Sequence, residues 1–167
     1  MLTLETERLL LREMTVKDAP FMLRLLNSEG FINNIGDRGV RNLMQAENYL
    51  IEGPISSYQQ HGYGMYSIVL KASGEIIGLA GLVRREQLPE TDLGYALLPE
   101  FLGQGYALEA SQVVLEHAKH LKLQTLLAIV NHDNQASRAL LEKLGFINQG
   151  SMPWGEDGEV LLYKITL

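Results

Sequence analysis

Between Asp92 and Val130 the chain alternates in a way that few folds can satisfy. An apolar strand pattern runs from Asp92 to Leu98 and is closed by Pro99. A turn holding Gly103 and Gly105 follows, and then Ala107, Ala110, Val114, Ala118 and Leu121 recur at helical spacing across Gln104 to Leu121. Thr125 to Val130 completes the stretch as a continuous apolar run, as expected of a strand buried on both faces. Strand, helix and strand in this order make a βαβ unit, whose crossover is expected to be right-handed. A parallel strand pair of this kind needs further layers on both faces to cover it.

The flanking segments supply those layers. Glu7 to Met14 reads as a strand. Thr15 and Asp18 form a capping-box variant that opens a helix through Leu26. Asn27 to Gly39, rich in glycine and asparagine, reads as a loop. A helix is expected over Leu43 to Glu52, ended by Gly53-Pro54, with another over Ile55 to His61. Tyr63 to Leu70 and Glu75 to Val83 are strands joined by the hairpin turn Ala72-Ser73-Gly74. After the βαβ unit, Asn134 caps a helix that Gly145 ends. Phe146 to Ser151 and Glu159 to Leu167 close the chain as strands around a Trp154-Gly155 loop. The expectation is one α/β (α+β) domain over residues 1–167, with helices on both faces of a mixed, mostly antiparallel sheet of six to seven strands.

Composition narrows the function classes. A net charge of −6 argues against non-specific nucleic-acid binding. The absence of cysteine removes disulfides, thiol nucleophiles and Cys-ligated zinc together. Met1 to Arg12 carries Glu5, Glu7, Arg8 and Arg12 among its leucines, unlike a signal peptide or membrane span, so a cytoplasmic protein is expected. His117 and His120 stand three apart on the long helix with no carboxylate to complete a site; a solvated helix face is expected, and no metal. Leu43, Met44, Leu50 and Ile51 would serve either a core or an interface, leaving monomer and homodimer open.

The turn before the long helix carries the chemistry. Gly103 and Gly105 allow a tight bend and close approach to backbone N–H groups, and the helix points its unsatisfied first-turn donors at the same place. Residues 101–108 hold no acid. A phosphate-bearing ligand suits this turn, against the plainer reading of a glycine turn with no ligand. Leu108 replaces the third glycine of a dinucleotide fingerprint, and the lysine of a P-loop is missing.

Taken with its surroundings, the chain resembles the GCN5-related N-acetyltransferase (GNAT) superfamily. The likeness rests on Gly74 to Leu82, Asp92 to Glu100, Gly103 to Ala110 and Asn131 to Phe146, four blocks in family order. Glu5 to Arg12 is similar to the opening of the ribosomal-protein-alanine N-acetyltransferase branch. The resemblance implies a GNAT fold and direct transfer of acetyl from acetyl-CoA to a primary amine, either a protein N-terminal α-amine or a small amine. It implies that Gly103, Gln104, Gly105, Tyr106 and Ala107 bind the pyrophosphate through their backbone, and that Ala96, Leu97 and Leu98 pair with pantetheine and polarise the thioester carbonyl. Asn134 and Ser137 then lie near the sulfur, with Ser137 as the acid for the leaving thiolate. Asp92 matches a position where family members carry a base, the alternative being a solvent-facing strand-end acid.

Two positions depart from the family pattern. Leu102 stands where the pyrophosphate turn begins with Gln or Arg, and Leu141 stands where many members carry a catalytic tyrosine. They keep open an alternative from another class, a catalytically silent acyl-CoA-binding sensor. Acceptor choice is expected from Asn33 to Gly39 and Met152 to Gly158, with Trp154 closing over the acceptor or capping the core edge. Glu109 is expected to face solvent or brace a loop, and His132 lies close enough to the cleft to be considered as a proton relay.

Overall fold

The computed structural model describes residues 1–167. Its elements run in the order β1 (Thr3–Glu5), β2 (Leu9–Glu13), α1 (Ala19–Leu26), α2 (Glu29–Asn34), α3 (Leu43–Leu50), α4 (Ser56–His61), β3 (Met65–Leu70), β4 (Ile76–Val83), β5 (Asp92–Leu97), α5 (Tyr106–His120), β6 (Thr125–Val130), α6 (Gln135–Leu144), β7 (Ile147–Trp154) and β8 (Gly158–Thr166). The eight strands form one sheet in the order β1-β2-β3-β4-β5-β6-β8-β7. Every pair is antiparallel except β5 with β6, the pair that α5 connects.

Apolar residues on opposite sheet faces build two cores. The larger, of 21 buried residues, packs Leu93, Leu126, Ala128 and Val130 beneath α5 and Leu141 of α6. The smaller, of 11, gathers Leu79 and Leu98 beneath Met22, Leu25 and Leu26 of α1, Phe31 of α2 and Ala46 and Leu50 of α3. Successive β5 side chains alternate between the faces, so Leu93, Tyr95 and Leu97 meet the first core and Ala96 the second.

The capping box opens a 3-10 turn, Val16–Asp18, that leads directly into α1. Thr15 and Asp18 cap reciprocally, and Asp18 also receives a bidentate bond from Arg12 and one from Ser67. Burial pushes the Asp18 carboxyl up, but Arg12, the Thr15 N–H and Ser67 outweigh it and hold it below its ordinary range.

Four local expectations are corrected. The eighth strand, β1, is only three residues long, too short to show a period of two, and exists because it pairs with β2. Within the 27–39 loop, the Ser28 hydroxyl accepts from Phe31 N–H and the buried Phe31 ring anchors a short helix that Gly30 obscured. Gly53-Pro54 does not end the second long helix. The chain continues from Leu43 to His61 through a π-helical stretch at Ile51–Ile55, where Ser56 N–H reaches the Ile51 carbonyl five residues back; that wider spacing tolerates the missing donor of Pro54. Finally, His117 is buried, its Nε2 3.2 Å from the Tyr66 hydroxyl, and not solvated; burial lowers its pKa.

No helix is long and apolar enough to cross a membrane. Leu50 lies in the core, whereas Leu43, Met44 and Ile51 are exposed.

Candidate active site

The site begins where the sheet comes apart. β5 and β6 share a single register pair, Asp92 with Leu127, fastened by Leu127 N–H to the Thr91 carbonyl at 3.0 Å. Beyond it β5 pairs only with β4, and β6 only with β8, so the two parallel strands diverge towards their C-terminal ends. Backbone direction then decides which donors face the opening. Leu98 N–H is spent on the Ile77 carbonyl at 2.9 Å, and the Ala96 carbonyl lies so close to Gly78 that a Cβ there would stand 2.4 Å from it. Ala96 and Leu98 therefore direct their backbone polar groups at β4. Leu97, between them, directs its N–H at the cleft.

At the mouth of the cleft the glycine turn has the conformation that its sequence requires. Gly103 (φ +72°) and Gly105 (φ +83°) are both left-handed, and both are exposed with Gln104 between them. Gly105 is the N-cap of α5, and no side chain caps the helix. The N–H groups of Tyr106, Ala107 and Leu108 have no partner within the helix and form the positive end of its dipole. Leu102 is exposed and offers no polar group here.

Glu109 does not neutralise that end; it braces a loop. One oxygen accepts from Thr6 Oγ1 and from Arg8 N–H (2.9 Å), the other from Arg8 Nε (2.7 Å). Burial raises the Glu109 carboxyl, but these bonds prevail and hold it ionised below its ordinary range. Arg8 also donates to the Gln104 carbonyl at 3.0 Å and lies over the Tyr106 ring, 4.4 Å from its centroid. The N-terminal hairpin is thereby tied to the turn.

On the far side of the cleft, Asn134 caps α6 by accepting from Ser137 N–H at 3.3 Å. The Ser137 hydroxyl bonds the hydroxyl of Tyr95, which reaches across from β5. Burial pushes the Tyr95 phenol up to about 12, the Ser137 bond opposing only part of the rise. Leu141 is 1% exposed and packed into the larger core, so it offers the cleft no polar group.

At the vertex, Asp92 is 1% exposed and meets Arg85 in a bidentate pair, Nε–Oδ1 and Nη2–Oδ2 both 2.9 Å. Burial raises the Asp92 carboxyl, with Arg85 pulling the other way. Trp154, at the end of β7, lies over the Arg85 guanidinium at 5.5 Å. Asp92 is thus not a solvent-facing acid. His132 uses a single ring nitrogen, Nε2, for both Ser151 (3.1 Å) and Glu159 (3.0 Å), an arrangement unlike a relay, which needs both nitrogens.

The fold therefore assembles Leu97, Gly103 to Ala107, Asn134 and Ser137 around one cleft, and sets Asp92 at its closed end. Motif reading missed Arg8, Arg85 and Tyr95. Nothing local distinguishes these side chains, because each gains its role from a partner distant in sequence.

A mixed sheet splayed at its one parallel pair, with a glycine turn and helix N-terminus at the mouth of the splay, defines an acetyltransferase of the GNAT class. Residues 8–147 match the acetyltransferase (GNAT) domain family, and the chain belongs to it. It is an N-acetyltransferase by its kinship: it is 30% identical over 149 residues to the uncharacterized N-acetyltransferase YoaA of Bacillus subtilis, covering 88% of this chain and 84% of that protein. Among solved structures it is similar to an acetyltransferase of Agrobacterium tumefaciens, with 29% identity, TM-score 0.83, and 99% and 94% of the two chains covered. The fold also matches RimL, a ribosomal L7/L12 α-N-protein acetyltransferase solved with coenzyme A, with TM-score 0.86, 21% identity, and 99% and 98% coverage.

Proposed function

We propose that the chain transfers acetyl from acetyl-CoA directly to a primary amine, and that a protein N-terminal α-amine suits its site better than a lysine-like amine. The observation that carries the reading is the splay beyond Asp92 and Leu127, with the Gly103–Gly105 turn at its mouth. Pyrophosphate would take the free N–H groups at the turn and the start of α5, and pantetheine would lie along the unpaired edge of β5. The thioester carbonyl would then receive Leu97 N–H, a donor already aimed where negative charge develops.

The preference for an α-amine follows from the state of Asp92. Both its oxygens accept from Arg85, so we assign it as the clamp of the vertex, its charge committed to the guanidinium. An amine must then supply its own neutral fraction. At pH 7 that is about 14% for an α-amine of pKa near 7.8, but only about 0.04% for a lysine-like amine of pKa near 10.4. The resemblance of Glu5 to Arg12 to the ribosomal-protein branch favours the same class.

Calorimetric titration with acetyl-CoA, followed by N-terminal peptides and small amines, tests the reading. Saturable binding and acetylation of peptide α-amines are expected. Binding with no turnover on any amine would favour an acyl-CoA sensor, a reading that Leu102 and Leu141 keep in view; no binding would refute the cosubstrate. For Asp92→Asn, the pH–rate profile should keep the limb set by the acceptor amine. Loss of a limb near the carboxylate range would restore Asp92 as the base.

A further inference from the structure

Tyr95 lies within the Asp92 to Glu100 block with no role assigned to its side chain, yet its hydroxyl joins β5 to α6. The side chain leaves β5 on the α5 face, beside Leu93 and Leu97, and its ring is packed against the larger core. From there the hydroxyl reaches α6, bonding Ser137 Oγ and donating to the Ser137 carbonyl at 3.3 Å. β5 and α6 lie on opposite arms of the splay, since α6 follows directly on β6.

Either hydroxyl can donate in this bond, and their chemistry favours the phenol. A phenol is the more acidic of the pair and the better donor, and the carbonyl beside it can only accept. The phenol proton is therefore shared between the Ser137 carbonyl and Oγ. Burial keeps that proton in place at any physiological pH, with the phenol pushed up to about 12. With the phenol as donor, Ser137 Oγ is free to point its own proton elsewhere. Its backbone N–H is already held by Asn134.

We propose that Tyr95 is a positioning residue for Ser137: it fixes the serine rotamer across the splay and turns the serine proton towards the thioester sulfur. This rests on the acetyl-CoA reading above. The step it serves is collapse of the tetrahedral intermediate. The C–S bond breaks with its electron pair passing to sulfur, the carbonyl re-forms, and the surplus proton of the amine nitrogen leaves to water. The sulfur departs as a thiolate that accepts a hydrogen bond from Ser137. No proton leaves the pair, because a thiolate, with a thiol pKa of about 8.5, is too weak a base to take one from the phenol.

The ionisation of bound CoA tests this without any acceptor. The thiolate absorbance of CoA on the full-length protein is titrated against pH for the parent, Tyr95→Phe, Ser137→Ala and the double variant. The parent should ionise bound thiol at lower pH than free CoA. Ser137→Ala should raise the midpoint by about one pH unit, Tyr95→Phe by at least half of that, and the double variant no further than Ser137→Ala. Single-turnover acetyl transfer should slow about tenfold in Tyr95→Phe, with the dissociation constant of acetyl-CoA changed less than twofold. An unmoved midpoint in Tyr95→Phe with CoA bound, or additive shifts in the double variant, would overturn the proposal and leave the acetyl-CoA reading intact. Should Tyr95→Phe fail to fold, an unmoved midpoint in Ser137→Ala would overturn it alone. Failure of the parent to bind CoA would overturn both.

Discussion

Replacing Arg85 with methionine removes one partner of the buried pair at the cleft vertex and leaves the Asp92 carboxylate without its counter-ion. Breaking a fully buried ion pair in this way costs about 3–5 kcal/mol. The Asp92 side chain is 1% exposed and that of Arg85 26%, so the lower end applies, about 3 kcal/mol. In a chain of this size each kcal/mol lowers the melting temperature by about 2–4 °C, giving a fall of about 6–12 °C. The sign of the pH dependence is an independent check. Burial already raises the Asp92 carboxyl, and loss of Arg85 removes the main influence holding it down. A carboxyl with its folded pKa above its unfolded one is least costly below the unfolded value, and its stability is lost as pH rises through the folded value. The deficit of Arg85→Met should therefore be smaller at pH 4.5 than at pH 7.5. Changing Asp92 to leucine in the same chain removes the orphaned charge and should recover most of the loss. Thermal melts of the parent, single and double variants at both pH values measure all of this. A deficit under about 1 kcal/mol, or one independent of pH, would refute a buried, paired carboxylate at the vertex.

Three further outcomes are expected. Gly105→Val forces a β-branched residue to φ +83°, with its Cβ 3.4 Å from Arg8 Nη2, and should weaken acetyl-CoA binding at least tenfold; unchanged affinity in a folded variant would disprove the turn as the phosphate site. Leu141→Tyr, which restores the family's tyrosine at a fully packed position, should cost about 1–3 kcal/mol by overpacking, and a melt at or above the parent's would contradict that placement. His117 is held below its ordinary pKa chiefly by burial, with His120 adding to it, so the unfolded chain protonates first as pH falls. Stability is then fully present above pH of about 6.5 and declines below it, and His117→Gln should flatten the melting temperature between about pH 7 and 5. An equally steep profile in the variant would exclude His117 as its source.

The sequence alone determined those features in which the cause is local. Glycines at 103 and 105 are left-handed because a turn into a helix demands it, and Asn134 and Gly145 bound α6 because caps act within a few residues. The βαβ unit was legible from its switch between periods, and the four blocks in family order carried the fold. Tertiary structure decided whatever depends on partners far apart in the chain. It turned His117 inward against Tyr66, drew α2 out of a loop by burying Phe31, and carried a helix through Pro54. The same holds at the site. The side chain at 92 has identical chemistry wherever it lies, and only the approach of Arg85 beneath Trp154 shows it buried and paired and not a solvated acid. Tyr95 reads as an ordinary strand residue until β5 and α6 bring its hydroxyl to Ser137, 42 positions away. Periodicity and capping encode conformation within a few residues, whereas burial, ion pairing and proton direction arise only when distant segments pack together.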